Sequence, residues 1–383
     1  MRAAFFQFGV NKSRFERYLM HAFKVLSQCT FSPVAYNEQR AAKSLERFLA
    51  LGAESKFIKP SDGQAQIHML RIDAEDLEDR IRRFGAYWEK IKIVEEGAMR
   101  EVLAIRLPKD QTPEWKAFEE NLLWLKWKKQ PVILADSNAL CELIITCERA
   151  ESIEKEDWYK KLFLNVTIPN ASCLMLPRLA GYYLGLKQNI CFYDSRGKAL
   201  STGIPSEAGY YNDIMAVYHE INDTVDPKNL WLSGTCGGSL IAGYLKARLH
   251  KEGVNFLSEN GALNLQKDWF DIQPWPTNYF ARYFSSGLES RDIPAELKPI
   301  ETKFNNEKLW NLPYSEIGKV LVIFVDNDQR IGKDVAEKMV ACARKINRHV
   351  HSIGYHSVDK DPHSDTYIRH PDVSSKALAF IFA

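Results

Sequence analysis

The cysteine with the clearest chemical potential lies in a Gly-Thr-Cys-Gly-Gly motif at residues 234–238, between an apolar run that begins at Leu230 and a helical pattern. Glycines on either side of a nucleophile permit a sharp strand-to-helix turn, because side chains at those positions would clash. Such a turn holds Cys236 at the N-terminus of a helix, where the helix dipole favours an anion. A glycine-rich turn around a structural cysteine is the alternative interpretation of the same residues.

The elements around this motif predict an α/β fold. From about residue 160 onward, short apolar runs alternate with helical stretches. Strands separated by helices imply crossover connections and parallel pairing, with helices on both faces of the sheet. We therefore expect a mostly parallel sheet flanked by helices. Its predicted strands are 162–168, 189–194, 230–234, 254–258 and 320–326.

Other segments predict additions to this core. Residues 14–50 have a helical pattern, so we interpret 1–60 as an N-terminal helical extension of a main domain at 61–383. That domain opens with a strand pattern in 61–72 and carries an insertion at about 75–160. Residues 262–318 are rich in Trp, Pro and Phe and predict a helical cap over the sheet. Helical patterns lie at 73–93 and 113–128, and strand patterns lie at 100–107 and 131–135.

Composition excludes several classes of protein. Lys and Arg number 51 against 49 Asp and Glu, a balance that gives no electrostatic footprint for nucleic acid. The seven cysteines form no CxxC pair, so we expect no zinc site, no redox dithiol, no cofactor and a reducing, cytoplasmic location. From the N-terminal pattern we expect no signal peptide, and because no apolar run reaches about 18 residues we expect no transmembrane helix.

A long segment, residues 194–213, resembles the ABHD-type, lipase-like branch of the α/β-hydrolase superfamily. The family segment reads D-x-R-G-x-G-x-S-x-G-x-P-S-E-x-G-x-x-x-D, and this chain departs from it at Ala199, where the family has glycine. The matching residues form turns and caps in that family. The resemblance implies the α/β-hydrolase fold and extends over about 61–74 and 160–383.

The same resemblance assigns site residues. Residues 320–331 resemble the strand and loop that bear the catalytic acid, at Asp328, and the Pro-His-Ser-Asp run at 362–365 resembles the loop of the catalytic histidine, at His363. Cys236, Asp328 and His363 then follow the chain order of nucleophile, acid and base in this fold. Residues 168–171 align with the His-Gly-Asn-Ala oxyanion loop, although Ile-Pro replaces His-Gly.

These assignments imply an acyl hydrolase that acts on esters, thioesters or lipids through a cysteine acyl-enzyme. The backbone N–H groups of Gly237 and Asn170 would stabilise the oxyanion. An acyltransferase with the same triad is one alternative. A catalytically inactive binding protein is another, because Pro169 in the oxyanion loop cannot donate a hydrogen bond. The chain also resembles lipase-like effectors of intracellular bacteria, such as the SidB family, which implies translocation into a host cell.

Several residues keep a second interpretation. Asp326 competes with Asp328 as the acid, and His356 and His370 compete with His363, although we favour the residues of the family motif. Ser239 is interpreted as a helix residue. A metal site at His349, His351 and His356 is the less favoured hypothesis, because no carboxylate pattern accompanies it.

Aromatic clusters outside the triad have two interpretations each. A Trp-rich segment with neighbouring lysines could contact a membrane surface, but packing against the sheet is favoured. Its tryptophans are Trp115, Trp124 and Trp127. The cap aromatics could line an acyl pocket or form the core of the cap. They are Trp269, Phe280, Tyr283 and Phe284.

Overall fold

Eight of the described strands form one mixed, mostly parallel sheet. The structure, a computed structural model, describes residues 38–95, 98–126, 128–129, 143–145, 162–166, 174, 177–203, 206–264, 306–310, 312–315 and 317–383. The strands are β1 (Glu54–Ile58), β2 (Ile67–Ile72), β7 (Leu162–Val166), β8 (Asn189–Tyr193), β9 (Leu230–Thr235), β10 (Asn255–Glu259), β11 (Val320–Val325) and β12 (Val350–Tyr355). Their order is β1-β2-β8-β7-β9-β10-β11-β12. β2 runs antiparallel to both neighbours, and every pair from β8 to β12 is parallel.

A second, antiparallel sheet lies between β2 and β7 in the sequence. It has the order β3-β4-β6-β5. Its strands are β3 (Tyr87–Glu95), β4 (Ala98–Arg106), β5 (Lys128–Lys129) and β6 (Leu143–Ile145). This sheet occupies the segment that the sequence analysis interprets as an insertion at about 75–160.

Helices connect the strands and cover the main sheet. They are α1 (Glu38–Ala50), α2 (Ala74–Arg83), α3 (Pro113–Trp124), α4 (Pro177–Gly185), α5 (Glu207–Ile221), α6 (Gly238–Arg248), α7 (Asn306–Leu309), α8 (Lys333–Ile346) and α9 (Pro371–Phe382). Several begin at side-chain caps. Ser206 accepts a hydrogen bond from Gly209 N at 3.0 Å at the start of α5, and Thr112 accepts one from Trp115 N before α3.

Two apolar cores lie on the opposite faces of the main sheet. Alternate residues of β11 divide between them: Leu321 and Ile323 pack with α1, α3, α4 and α9, whereas Val320 and Val322 pack with α5, α6 and α8. All six residues of β11 are buried, as expected for a parallel strand covered on both sides. The predicted α/β fold, with a parallel sheet and flanking helices, is confirmed.

The strands predicted from apolar runs between residues 162 and 326 are present, but five of the described strands were not foreseen: β1, β3, β5, β6 and β12. The helical pattern assigned to 73–93 ends at Arg83, and Tyr87–Glu95 is a strand in which the buried residues Ile91 and Ile93 alternate with exposed neighbours. β12 pairs with β11 at the sheet edge. β1 lies inside the predicted extension 1–60 yet pairs with β2, so the main sheet begins before residue 61.

Some predictions lie outside the described residues. These are the N-terminal part of the extension (1–37), the strand at 131–135, and most of the cap with its four aromatic residues (265–305). Among the described residues, no helix has the length and apolarity needed to cross a membrane.

Candidate active site

Cys236 sits on a strained turn between β9 and α6. Its backbone φ is +52°, a left-handed conformation that costs a non-glycine residue roughly 1–2 kcal/mol. Four hydrogen bonds of the Cys236 backbone stabilise the turn. Cys236 N donates to Glu259 O at 3.1 Å, and Cys236 O accepts from Ala262 N at 3.1 Å, from Ser239 N at 3.2 Å and from Ser239 Oγ at 2.7 Å. Strain of this kind, held in place by surrounding contacts, is a feature of functional sites.

Gly234 is required for this turn. A Cβ atom at Gly234 would lie 2.6 Å from the carbonyl carbon and oxygen of Gly238 and from Ser239 Cα. These are backbone atoms at the start of α6, so they cannot move aside without displacing the helix. The glycine predicted for the strand-to-helix turn therefore has a steric reason in the structure. Ser239 is a buried residue of α6, as interpreted from the sequence.

Asp328 lies in the loop after β11 and is buried, with its side chain completely inaccessible. Oδ1 accepts hydrogen bonds from Arg330 N at 2.7 Å and Ile331 N at 3.2 Å, which fix the carboxylate within its own loop. Oδ2 is 2.7 Å from His363 Nδ1. Asp326, the alternative acid, is exposed at the end of the strand.

His363 joins the carboxylate to the cysteine. Its imidazole, 9% exposed, hydrogen-bonds Asp328 Oδ2 through Nδ1, and the side chain of Cys236 is close enough to interact with it. Burial opposes the charged imidazole, but the interactions with Asp328 and Cys236 outweigh it and raise the pKa of His363 to about 10. The structure thus brings the side chains of Cys236, His363 and Asp328 together at one place.

The alternative histidines have different surroundings. His370 Nε2 lies 2.6 Å from Asp365 Oδ2, and its ring packs on Tyr355, with 4.6 Å between ring centroids. His356 is exposed. No group of three or more His, Cys, Asp or Glu within the described part of the chain could hold a metal ion.

Of the two predicted oxyanion donors, the structure describes one. Gly237 is the residue directly before α6, and among the described residues its N–H has no hydrogen-bond acceptor. Asn170 lies outside the described residues, as does the replaced Ile168-Pro169 pair.

The predicted tryptophans differ in their surroundings. Trp115 is fully buried and packs against Phe84 and Phe118, which agrees with the packing interpretation. Trp124 packs against Phe48, with Arg47 over its ring. Trp127 lies outside the described residues.

Two polar residues at the end of β10 were missed by sequence reasoning. Glu259 and Asn260 are buried, and they contact the cysteine turn and the histidine loop respectively. Their position was a usable signal, because the carboxyl ends of parallel strands meet at one edge of a sheet, where ligands bind in open α/β folds. Cys236, Asp328 and His363 follow β9, β11 and β12 at that same edge.

The sheet, its helices and the turn at Cys236 together define the fold. The mostly parallel sheet has helices on both faces, and a cysteine on a strained strand-to-helix turn follows β9. Asp328 and His363 come later in the chain, in that order. The fold is the α/β-hydrolase fold.

Comparisons with known proteins give distant structural neighbours. No protein-family model matches the chain, and no curated protein matches it. An esterase from Pyrococcus furiosus is 12% identical and superposes over 86% of this chain and 91% of its own, with a TM-score of 0.48. An esterase from Pyrobaculum calidifontis is 13% identical and superposes over 90% of this chain and 91% of its own, with a TM-score of 0.42. An α/β hydrolase from Vibrio vulnificus is 17% identical and superposes over 58% of this chain and 74% of its own, with a TM-score of 0.44. The fold assignment rests on this chain's own strand order and turn.

Proposed function

We propose that this protein is an acyl hydrolase that cleaves ester or thioester bonds through an acyl-enzyme on Cys236. The observation that carries the proposal is His363, which hydrogen-bonds Asp328 and interacts with the side chain of Cys236. A nucleophile, a base in contact with it and a third group that orients the base are the components of covalent acyl transfer.

The proton belongs to His363 when the cycle begins. Because the pKa of His363 is raised to about 10, the imidazole holds a proton at neutral pH, and the Asp328 carboxylate balances its charge. Cys236 attacks the acyl carbon as a thiolate, which is the nucleophilic form of cysteine. The carbonyl oxygen becomes an oxyanion, and the Gly237 N–H donates a hydrogen bond to it. One such donor is worth about 3–4 kcal/mol in other enzymes.

Collapse of this intermediate forms the thioester. The bond to the leaving group breaks, His363 gives that group its proton, and the acyl group stays on the Cys236 sulfur. The neutral imidazole then removes a proton from water, which attacks the thioester carbon. The carboxylic acid leaves, Cys236 is restored as the thiolate, and His363 holds the proton again.

A cysteine nucleophile favours activated acyl groups. The thioester on Cys236 is close in energy to a thioester substrate, so acyl exchange between two thiols is nearly balanced. Esters, thioesters and lipid acyl groups are the substrates that we propose. Transfer to an alcohol or thiol in place of water uses the same steps, so product analysis must separate a hydrolase from an acyltransferase.

The test uses p-nitrophenyl esters and acyl-coenzyme A esters of varied chain length, with intact-protein mass spectrometry. We expect turnover and an acyl adduct on Cys236, and we expect both to disappear in Cys236→Ala. Cys342→Ala is the matched control, because Cys342 is also partly exposed but lies on α8, outside the triad. Turnover should survive in that variant.

The same experiment can reject the proposal. Retained turnover in Cys236→Ala would remove the cysteine from the mechanism. Absence of both turnover and adduct over the whole panel would favour the inactive binding protein. Acyl groups that reach an added alcohol or thiol but never water would identify an acyltransferase.

A further inference from the structure

Asn260 occupies the centre of the site without belonging to the triad. It follows β10, whose sheet neighbours are β9, which leads to Cys236, and β11, which leads to Asp328. Only 1% of its surface is exposed. Its φ is +45°, a left-handed conformation that asparagine tolerates better than most other residues do.

The side chain of Asn260 connects the acid strand to the histidine loop. Oδ1 accepts a hydrogen bond from Val325 N at 3.0 Å, and Val325 is the last residue of β11, three residues before Asp328. Nδ2 donates to His363 O at 3.3 Å and to Asp365 O at 3.2 Å. One amide therefore holds the backbone of the histidine itself at a fixed place relative to the strand that carries its acid.

Its neighbour Glu259 completes the connection to the nucleophile. Glu259 O accepts the hydrogen bond from Cys236 N at 3.1 Å, and Glu259 Oε1 accepts one from Tyr367 N at 2.8 Å, beyond the histidine. The end of β10 thus contacts the segments that carry all three triad residues. A misplacement of about 1 Å in such a group can cost about 10²-fold in rate, so this contact has a functional consequence.

We propose that Asn260 is a positioning residue, which holds the His363 imidazole in reach of both Asp328 and Cys236 through its amide bridge. The inference rests on the proposed function, because it assigns Asn260 to the same triad. Loss of the amide would release the backbone of the histidine loop and weaken the contact between His363 and Cys236.

A matched control lies at the opposite end of the same strand. Asn255 makes the same pattern of side-chain bonds: Nδ2 donates to Lys228 O at 2.8 Å and Leu230 O at 3.2 Å, and Oδ1 accepts from Lys319 N at 2.8 Å. Asn255 is also buried. It joins β10 to its neighbours at the amino ends of the strands, away from Cys236.

The test measures alkylation of Cys236 by iodoacetamide, followed at that residue by peptide mass spectrometry at about pH 6 and about pH 8.5. It compares the wild type with Asn260→Gly, Asn255→Gly and His363→Ala, and it records the free energy of unfolding of each. Glycine is chosen because it accepts the positive φ of residue 260. At residue 255, the first residue of β10, it removes the same number of side-chain hydrogen bonds from a buried position away from Cys236.

We expect His363→Ala to slow alkylation at the lower pH, because an imidazolium beside the sulfur favours the reactive thiolate. Asn260→Gly should also slow alkylation of Cys236, by about tenfold or more relative to the wild type. Asn255→Gly should alkylate as the wild type does, although it is destabilised. This selective loss would distinguish positioning from a general effect on stability.

The outcomes separate the inference from the proposed function. Wild-type alkylation in Asn260→Gly, with slow alkylation in His363→Ala, overturns the inference and leaves the function standing. Wild-type alkylation in His363→Ala overturns both. Slow alkylation in Asn260→Gly, together with no turnover of any acyl substrate by the wild type, supports the inference and rejects the function.

Asn260→Asp covers the case in which the glycine variant does not fold. It keeps the oxygen that accepts from Val325 N and loses the two donated bonds to the histidine loop. Its added negative charge favours the imidazolium of His363 but also disfavours a thiolate at Cys236, so the same substitution is measured again in the His363→Ala background. Slowing that disappears without the histidine comes from lost positioning, whereas slowing that persists there, or alkylation at or above the wild-type rate, overturns the inference.

Discussion

Asp328 divides its two carboxylate oxygens between its own loop and the histidine. Oδ1 accepts two backbone N–H groups, and Oδ2 contacts His363 Nδ1. In Asp328→Asn the loop contacts persist, but an amide N–H in place of Oδ2 would favour the wrong imidazole tautomer. We expect kcat/KM to fall by about 10²–10⁴-fold, as measured on the best substrate of the acyl panel.

Asp326→Asn is the matched control for that measurement. It makes the same chemical change two residues earlier, at an exposed position at the end of β11. Turnover within about twofold of the wild type is expected, since surface substitutions have small effects. Equal losses in the two variants would contradict the assignment of Asp328 as the acid.

At the scale of elements, the segment 194–213 acts as a structural brace. Arg196 Nη2 lies 2.7 Å from Asp213 Oδ1 on α5 and 2.8 Å from Asp62 in the loop before β2. Ser201 Oγ donates to Asp194 O and accepts from His68 N at 2.8 Å. Ala199, which replaces the family glycine, adopts a φ of +46°. The motif that carries the family resemblance thus joins α5 to the edge strands of the sheet.

Removal of Asp213 from this brace should destabilise the folded protein. In Asp213→Ala the guanidinium of Arg196, which is 2% exposed, loses its buried counter-charge and keeps only Asp62. We expect the free energy of unfolding to fall by about 3–5 kcal/mol, because Asp213 is the fully buried partner and the more exposed Asp62 compensates the guanidinium only in part. Chemical denaturation monitored by circular dichroism measures this change.

The comparison variant is Asp79→Ala. Asp79 makes an exposed ion pair with Arg82 on α2, at 3.4 Å, and should contribute no more than about 0.5 kcal/mol. A loss below about 1 kcal/mol in Asp213→Ala would show that the brace does not hold the fold together.

Which elements could be predicted depended on how they bury their side chains. Runs such as β9 and β11 are buried on both faces, so apolar composition alone identified them. β12 lies at the sheet edge and buries only Ile353 and Tyr355, and its His, Ser and Gly residues hide the alternation. β3 was interpreted as helix because the helical pattern of α2 was continued past Gly85, whose φ of +77° ends it.

For the candidate site, too, sequence motifs identify only some of the residues. Cys236, Asp328 and His363 stand in motifs that a family resemblance can identify, whereas Asn260 stands in none. Its importance arises from strand order, because β10 lies between the strands of the nucleophile and the acid although β10 carries neither. The sequence shows that Asn260 follows a predicted strand, but it does not give the order of the strands in the sheet, so it could not show which strands lie beside β10.

At the scale of the whole molecule, buried cations couple stability to pH. Lys246 is 3% exposed, and its Nζ donates to Val254 O at 2.5 Å. Burial lowers the pKa of Lys246 to about 8, and burial also lowers the pKa of Lys198 to about 7. The unfolded chain holds these protons more tightly than the folded protein does, so folding is penalised where the lysines are charged.

Lys246→Met should remove one of these couplings. Between about pH 8 and the ordinary lysine pKa of 10.5, Lys246 is protonated in the unfolded chain but neutral in the folded protein. The stability that it contributes is therefore complete above 10.5 and is lost as the pH falls through about 8. Relative to Lys246→Met, the free energy of unfolding of the wild type should rise across this interval, by up to about 3 kcal/mol. Urea unfolding at a series of pH values measures the difference.

The control is Lys338→Met, on the exposed face of α8, where the ammonium is 3.4 Å from Asp334. It tests whether the loss of a lysine charge by itself changes the pH profile. A difference between wild type and Lys246→Met that stays constant from about pH 7 to 10.5 would show that Lys246 keeps its charge inside the folded protein. A rising difference that Lys338→Met does not reproduce would assign the coupling to burial between α6 and the start of β10.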